Sequence, residues 1–438
     1  MSRHYASPSS SAENHPPGAD HSRLNRVFVM AWLICAMFYF IQYGMRSAPG
    51  VMLPELSEAL GVSDSTLSSI IGLYFYTYAL AALISGSLLD RIGPRLIIPA
   101  GILLLALGAV LFGFGVTASA SVGRLLQGAG SGVAFTGAVY LATRGFPKQW
   151  LATAVGVTQC FGMLGGSLGQ AAVGPLVHSV FGWQQFWFFA GGLLVLMSMA
   201  MLAVTPRVQS VTADSSASGH SWGSLLRPYK VVLTNPQSYL CGIVAGLLFM
   251  PTNIANMIWG LPFLQTGLGV PYEQAVARVS MVPLGWVIGC PLMGYLADYF
   301  GRRKPVLIAG GLSMLVCGGA IVYLPAGVAP PYMLGLLFGI ASGVAMIPYS
   351  IIKEVNPDEV KGTATGTINF IVFASSALAT PVIGSVITRL AVDGGITLEV
   401  FQRVDLIYVV GVIVAVVLAF FIRETGSRQA PEVPVVSR

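Results

Sequence analysis

Long apolar stretches alternate with short polar ones along almost the whole chain. Twelve runs of about 20 apolar residues can be counted, the first at 27–46 and the last at 406–422. A helix rises about 1.5 Å per residue, so each run can cross a hydrocarbon core of about 30 Å. None shows the two-residue alternation that marks a membrane β-strand. Backbone groups inside a bilayer have no water to bond, so the pattern predicts helices. The expected fold is an all-α membrane protein with twelve transmembrane helices. Residues 1–26 are polar and rich in Ser and Pro, which predicts a disordered tail. The first run is too long and too poorly flanked for a cleaved signal, so it reads as a retained helix.

Composition agrees and charge adds a direction. Hydrophobic residues make up 55% of the 438 and charged residues 9%, against about 25% charged in a soluble domain. Placing both tails and the loops after helices 2, 4, 6, 8 and 10 in the cytoplasm puts 18 of the 23 Lys and Arg residues there. The exceptions are Arg46, Arg124, Arg278, Arg389 and Arg403. That asymmetry is the positive-inside signature, so both termini are expected on the cytoplasmic side of the cytoplasmic membrane. The net charge of +6 is thereby a topology signal. No basic run suggests nucleic acid.

One loop sequence occurs twice. "GSLLDRIGPR" at 86–95 returns as "GYLADYFGRR" at 294–303, with Gly86, Leu88, Asp90, Gly93 and Arg95 matched by Gly294, Leu296, Asp298, Gly301 and Arg303. Each copy follows the second helix of a set of six. The chain thus divides into a six-helix bundle at 27–204, a linker at 205–237, a second bundle at 238–424 and a tail at 425–438. Parallel repeats of this kind place a substrate near the bilayer midplane, between the halves. An Asp at a helix C-terminus faces the negative end of the macrodipole and needs a compensating partner. Nearby Arg residues or another helix N-terminus would supply one, although two charged loops that merely fix topology are a plainer reading.

The pattern G-x-L-x-D-R-x-G-x-R, its second copy and the twelve spans resemble the major facilitator superfamily over about residues 27–424. The resemblance implies two pseudo-symmetric bundles that alternate access to a central site. It implies that Asp90, Arg91, Arg95, Asp298 and Arg303 form a charge network holding one of the alternating states. Tyr299 and Pro94 depart from the basic residues of that pattern. "GRLLQGAGSG" at 123–132 resembles the family's Arg-x-x-Gln-Gly on helix 4, which gives Arg124 a conformational role and makes Gln127 a candidate for substrate. The glycines at 156, 165 and 169 partly match an antiporter pattern, but Gln170 stands where Pro is expected, and close helix packing explains the small residues equally.

Polarity inside the apolar runs marks the candidate site. Tyr39, Gln42, Tyr43 and Arg46 lie at i, i+3, i+4 and i+7 and share one helical face. A buried Arg costs about 2.5–3.5 kcal/mol to insert and normally faces a cavity or a counter-charge. No Asp or Glu falls inside the twelve runs; Glu55 is the nearest. An anionic group on the substrate would serve as partner, unless Arg46 snorkels to the outer interface. Around helix 1 the chain also resembles the organophosphate branch of the superfamily, in which an Arg here binds the substrate phosphate and a second Arg sits on helix 7. "FMPTNIANMIWGLPFL" offers Asn253, Asn256 and Trp259 instead, so a carboxylate or zwitterion is expected in place of a phosphate dianion. Pro251 and Pro262 predict a bent, gate-like helix 7. Tyr74, Tyr78, Tyr349 and Asn369 complete the candidate lining, though each serves equally as an interhelical contact.

The five Cys fall singly inside spans, and no His, Cys or carboxylate cluster has metal-ligand spacing. No P-loop occurs, so neither catalysis nor direct ATP drive is supported, and no cofactor is expected. The sequence therefore reads as a monomeric secondary or facilitative transporter for a small anionic or zwitterionic solute. Partners are the substrate, the lipid bilayer and, for a symporter, protons. A non-transporting membrane sensor on the same fold, or an organophosphate or anion exchanger, are the alternatives.

Overall fold

The computed structural model describes residues 17–180, 182–206, 222–325, 330–391 and 395–426. Most of the expected tails, and residues 207–221 of the expected linker, lie outside them. Among the described residues, 12 helices are long and apolar enough to span a membrane. In the first half these are α1 (Asn25–Val51), α2 (Asp64–Leu89), α3 (Pro94–Gly113), α4 (Thr117–Gly145), α5 (Thr153–Val177) and α6 (Trp183–Val204). In the second they are α7 (Pro236–Asn256), α8 (Tyr272–Phe300), α9 (Lys304–Tyr323), α10 (Pro331–Glu354), α11 (Lys361–Leu390) and α12 (Leu398–Ala419). The helix containing α1 begins earlier, at Pro17.

Local chemistry sets the helix ends. Ser63 caps α2, its Oγ accepting from the Thr66 N–H at 3.3 Å, with Asp64 in the first turn. Asn235 opens α7 by accepting from the Gln237 N–H at 3.0 Å, with Pro236 in the first position. The repeated loops turn on matched glycines. Gly93 and Gly301 have φ of +91° and +60°, a region that L side chains avoid.

Packing repeats between the halves. The pairs α1–α5, α2–α4 and α3–α6 are matched by α7–α11, α8–α10 and α9–α12, while α2–α11 and α5–α8 join the halves. The glycine run of α5 packs closely on α1, a Cβ at Gly165 falling 2.0 Å from the Phe40 carbonyl oxygen. Part of the linker is helical, over Trp222–Thr234, and the Tyr229 hydroxyl there donates to the Leu83 carbonyl at 2.9 Å.

Two features differ from the sequence reading. α7 gives way at Pro251 to a wide turn over Pro251–Asn256, and another follows over Phe263–Gly267. Bonds from Met257 to Thr252, Trp259 to Ile254 and Leu268 to Phe263 each span five residues. Proline has no N–H, which breaks the regular ladder, and the wider ring restores bonding beyond it. The second difference is a correction: an acid does lie inside a span. α12 begins at Leu398, which places Asp405 about two turns within the helix. Hydropathy alone starts that run one residue after Asp405, because the charged residues at 399, 403 and 405 dilute its apolar signal.

Candidate functional site

Aromatic and polar residues of both halves converge on one small space. Tyr39 and Tyr43 on α1, Tyr78 on α2, Gln159 on α5, Tyr349 on α10, and Asn369 and Phe373 on α11 border a space of about 10 Å³, room for about one water. Tyr39 and Tyr43 meet edge to face at 4.9 Å, and the Tyr39 hydroxyl donates to Gln159 Oε1 at 3.3 Å. The Tyr349 hydroxyl donates to Asn369 Oδ1 at 2.7 Å. Tyr78 packs on Phe373 at 4.2 Å. The pocket is lined from both halves.

Arg46 sits one turn beyond Tyr43 on α1 and is 4% exposed. Its guanidinium lies 3.7 Å from the Tyr43 ring centre and 5.7 Å from that of Phe373. Nη2 meets only the Met257 sulfur, at 3.8 Å, while Nε and Nη1 are buried without partners. No ion pair to it occurs among the described residues. Ring quadrupoles attract a desolvated cation by about 2 kcal/mol, yet leave its in-plane N–H groups unbonded. Gln42, on the same face one turn earlier, is also buried with both amide atoms unpartnered. A planar anion acceptor is the chemistry this face lacks.

Beyond Arg46 the two halves close on each other. Gly50 lies so near α7 that a Cβ there would stand 1.9 Å from the Met257 carbonyl oxygen. The Tyr272 hydroxyl donates to the Val51 carbonyl at 2.9 Å, and Ser167 donates to that of Ser280 at 2.8 Å. Asn256 Nδ2 donates to Gln170 Oε1 at 3.4 Å. All these contacts lie at or toward the end opposite the termini.

Other residues expected at the site stand elsewhere. Arg124 is fully buried and donates through Nε and Nη2 to the Ile71 carbonyl at 3.3 and 3.2 Å, and through Nη1 to Gln127 Oε1 at 2.7 Å. Gln127 passes the connection to the Gly108 carbonyl at 3.0 Å. This clamp ties α4 to α2 and α3, and Tyr74 lies against the Arg124 guanidinium at 4.8 Å. Asn253 donates to Ser376 of α11 at 3.4 Å. Pro251, Asn256 and Trp259 border a separate cavity of about 340 Å³ inside the second half. Pro262 closes the short helical turn Gly260–Pro262 between the wide turns of that segment.

The loop charges are built unequally. Arg95 donates to the Thr205 carbonyl at 3.2 Å, Arg91 is exposed, and the Asp90 side chain lies outside the described residues. In the second copy Arg303 stands 3.6 Å from Asp298 and forms a two-pronged pair with Glu354. Glu424 accepts from the Arg303 and Lys304 N–H groups at 2.7 and 3.2 Å. Burial works against the Glu424 carboxylate, but backbone N–H groups of Arg303, Lys304, Gly426 and Thr425 outweigh it and hold its pKa below the usual value. Glu354 and Glu424 escaped the sequence reading because neither lies in a repeated motif; only proximity in the fold reveals them.

The membrane sensor protein UhpC of Salmonella typhimurium is 23% identical over 384 residues, 81% of this chain and 83% of UhpC. The probable galactarate/D-glucarate transporter GudP of Escherichia coli is 22% identical over 392 residues, 80% of this chain and 85% of GudP. Among solved structures, a bacterial homolog of the human lysosomal transporter Spinster, inward-facing and unoccupied, matches with a TM-score of 0.70 at 15% identity. That match covers 93% of this chain and 98% of the other. The family model for the Major Facilitator Superfamily matches residues 35–381. Twelve spans in two matched halves and a family match over most of its length lead to one conclusion: the chain belongs to the Major Facilitator Superfamily.

Proposed function

We propose that this protein is a secondary or facilitative carrier for a small organic anion or zwitterion, whose acidic group binds Arg46. The observation that carries this reading is a buried guanidinium with two N–H-bearing atoms unpartnered beside an aromatic pocket shared by both halves. A carboxylate there would supply acceptors in the geometry a guanidinium prefers. The tight pocket and the seal around Gly50 and Tyr272 correspond to one end of an alternating-access cycle, with solute entering from the end that carries the termini. Rocking of one bundle against the other would then open the Gly50 side. Galactarate and D-glucarate, for which the relative GudP is named, are organic acids, which agrees with an anion site. The lysine and arginine bias supports a multi-pass monomer in the cytoplasmic membrane with both termini inside. Asp90, Arg91, Arg95, Asp298 and Arg303 are assigned to holding one of the alternating states, and 205–237 to the linker between bundles.

Counterflow in proteoliposomes tests this. Vesicles preloaded with an organic acid should accumulate the same labelled acid, and Arg46→Ala should abolish accumulation while the variant still elutes as a folded monomer. The similarity to UhpC favours one alternative, a sensor. Binding without any counterflow would establish that reading and overturn the carrier.

A further inference from the structure

We propose that the second half contains a separate, off-axis ligand site, built for a small zwitterion with an apolar body. The site is the cavity of about 340 Å³ enclosed by the broken part of α7 and by α8, α9, α10 and α12. Pockets of about 300 Å³ and more commonly take small organic ligands, and they combine apolar walls with a few convergent polar groups. The axial pocket, by contrast, holds about 10 Å³.

Five polar side chains line the cavity; Asn256 is bonded, to Gln170 and to the Val279 carbonyl, and each of the other four has a buried atom without a partner: Trp259 Nε1, Arg278 Nε, Asp405 Oδ2 and the Tyr408 hydroxyl. Trp259 is 3% exposed and Tyr408 6%. Buried polar atoms in folded proteins are overwhelmingly bonded, so four orphans around one space are a signal of a missing partner. They come from three elements far apart in sequence, which makes a single misplaced side chain an inadequate explanation.

Their chemistry specifies that partner. Trp259 Nε1 and Arg278 Nε are donors and require an acceptor, which for a guanidinium is best an anion. Asp405 is an acceptor, and no ion pair to it occurs among the described residues, so it requires a cation. Tyr408 bonds to either. Arg278 itself reaches only Gln274, at 3.5 Å, and the Tyr332 ring, at 5.8 Å, and it forms no ion pair with Asp405. Two opposite charges that share a cavity without pairing are complementary to a ligand carrying both. Phe263, Phe338 and Val412 supply the wall for an apolar body. A free amino acid with a large apolar side chain has this combination. The exposed Leu324 and Pro325 at the end of α9 also line the cavity and mark where it meets the surface.

The site differs from the Arg46 site in place and in lining, and it sets an acid beside a cation where Arg46 has no acid near it, so the two proposals stand or fall separately. The test is equilibrium binding by calorimetry to the full chain in lipid-free maltoside micelles. Three probes share one aromatic body: L-phenylalanine, 3-phenylpropionate, which lacks the ammonium, and 2-phenylethylamine, which lacks the carboxylate. Phenylalanine should bind at least tenfold tighter than either analogue. Asp405→Asn, which preserves shape, should weaken phenylalanine at least tenfold and leave 3-phenylpropionate unchanged. Trp259→Phe should remove the indole fluorescence change that binding produces, and Arg46→Ala should alter neither readout. No phenylalanine binding, equal affinity for a single-charge analogue in Arg46→Ala, where the axial site is removed, or full affinity in Asp405→Asn would overturn the proposal. So would loss of phenylalanine binding in Arg46→Ala, because it would place the ligand on the axis. Monomeric elution of each variant separates these outcomes from misfolding.

Discussion

Arg46 and Arg124 are both buried in the first half, yet their surroundings are opposite. Around Arg124, two nitrogens are bonded to the Ile71 carbonyl and the third to Gln127, whose amide in turn reaches Gly108. Around Arg46 there are ring faces, one sulfur and two unpartnered nitrogens. The same side chain thus serves as a finished interhelical clamp at one place and as an uncommitted cation at the other. What separates the two charges is the state of their hydrogen bonds, since burial is common to both.

The largest expected effect follows directly. Arg124→Met removes charge-assisted bonds worth about 1.5–3 kcal/mol each and strands Gln127, so the protein should lose about 3 kcal/mol or more of stability. A thermal melt should drop sharply. Arg46→Met removes a charge that no described residue neutralises, so its melt should stay level or rise while transport is lost. Equal destabilisation by both substitutions would erase the contrast.

A second effect concerns the seal above Arg46. Gly50→Ala places a methyl 1.9 Å from the Met257 carbonyl oxygen, a clash that costs about 1–3 kcal/mol in the closed arrangement alone. Accessibility of a cysteine introduced at Ser47 should increase, and transport should fall about tenfold, because 1.4 kcal/mol corresponds to about that factor. Unchanged accessibility would show that this approach does not define the closed state.

Smaller again is the contribution of Glu424, another finished group. Its folded pKa is depressed, so its stabilisation is present above the unfolded carboxylate value of about 4.3 and is lost as pH falls through the lower folded value. Glu424→Gln should therefore flatten the acid limb of the stability profile. A profile as steep as that of the parent would assign the acid sensitivity to other carboxylates. The smallest effect is expected at Thr158, which accepts from Trp32 Nε1 at 3.0 Å. Thr158→Val should cost about 1 kcal/mol, without altering solute affinity. A change in affinity would extend the site to that contact.

Much of this was legible in the pattern of residues. Twelve spans follow from hydropathy because a bilayer imposes length and apolarity on every helix. The paired loops follow from repetition, and their matched glycines share positive φ. Tyr39, Tyr43 and Arg46 stay on one face because α1 is regular there. Asn253, Asn256 and Trp259 would share a face in a regular helix, but across the wide turns Asn253 parts from the other two. Asn253 consequently meets α11, and Trp259 faces the off-axis cavity. Asp405 escaped because hydropathy sets a boundary by averaging, whereas its depth depends on where α12 begins. Glu354 and Glu424 needed the tertiary fold itself, being brought to Arg303 by helix ends remote in sequence.

The central claim is that Arg46 receives the acidic group of the solute. Its most direct measurement is binding of a panel of small organic acids, each paired with its neutral amide, to the parent protein and to Arg46→Met. At least one acid should bind the parent, its amide should bind at least tenfold more weakly, and the variant should lose that preference. Tight binding of amides, or an acid preference that survives in Arg46→Met, would contradict it.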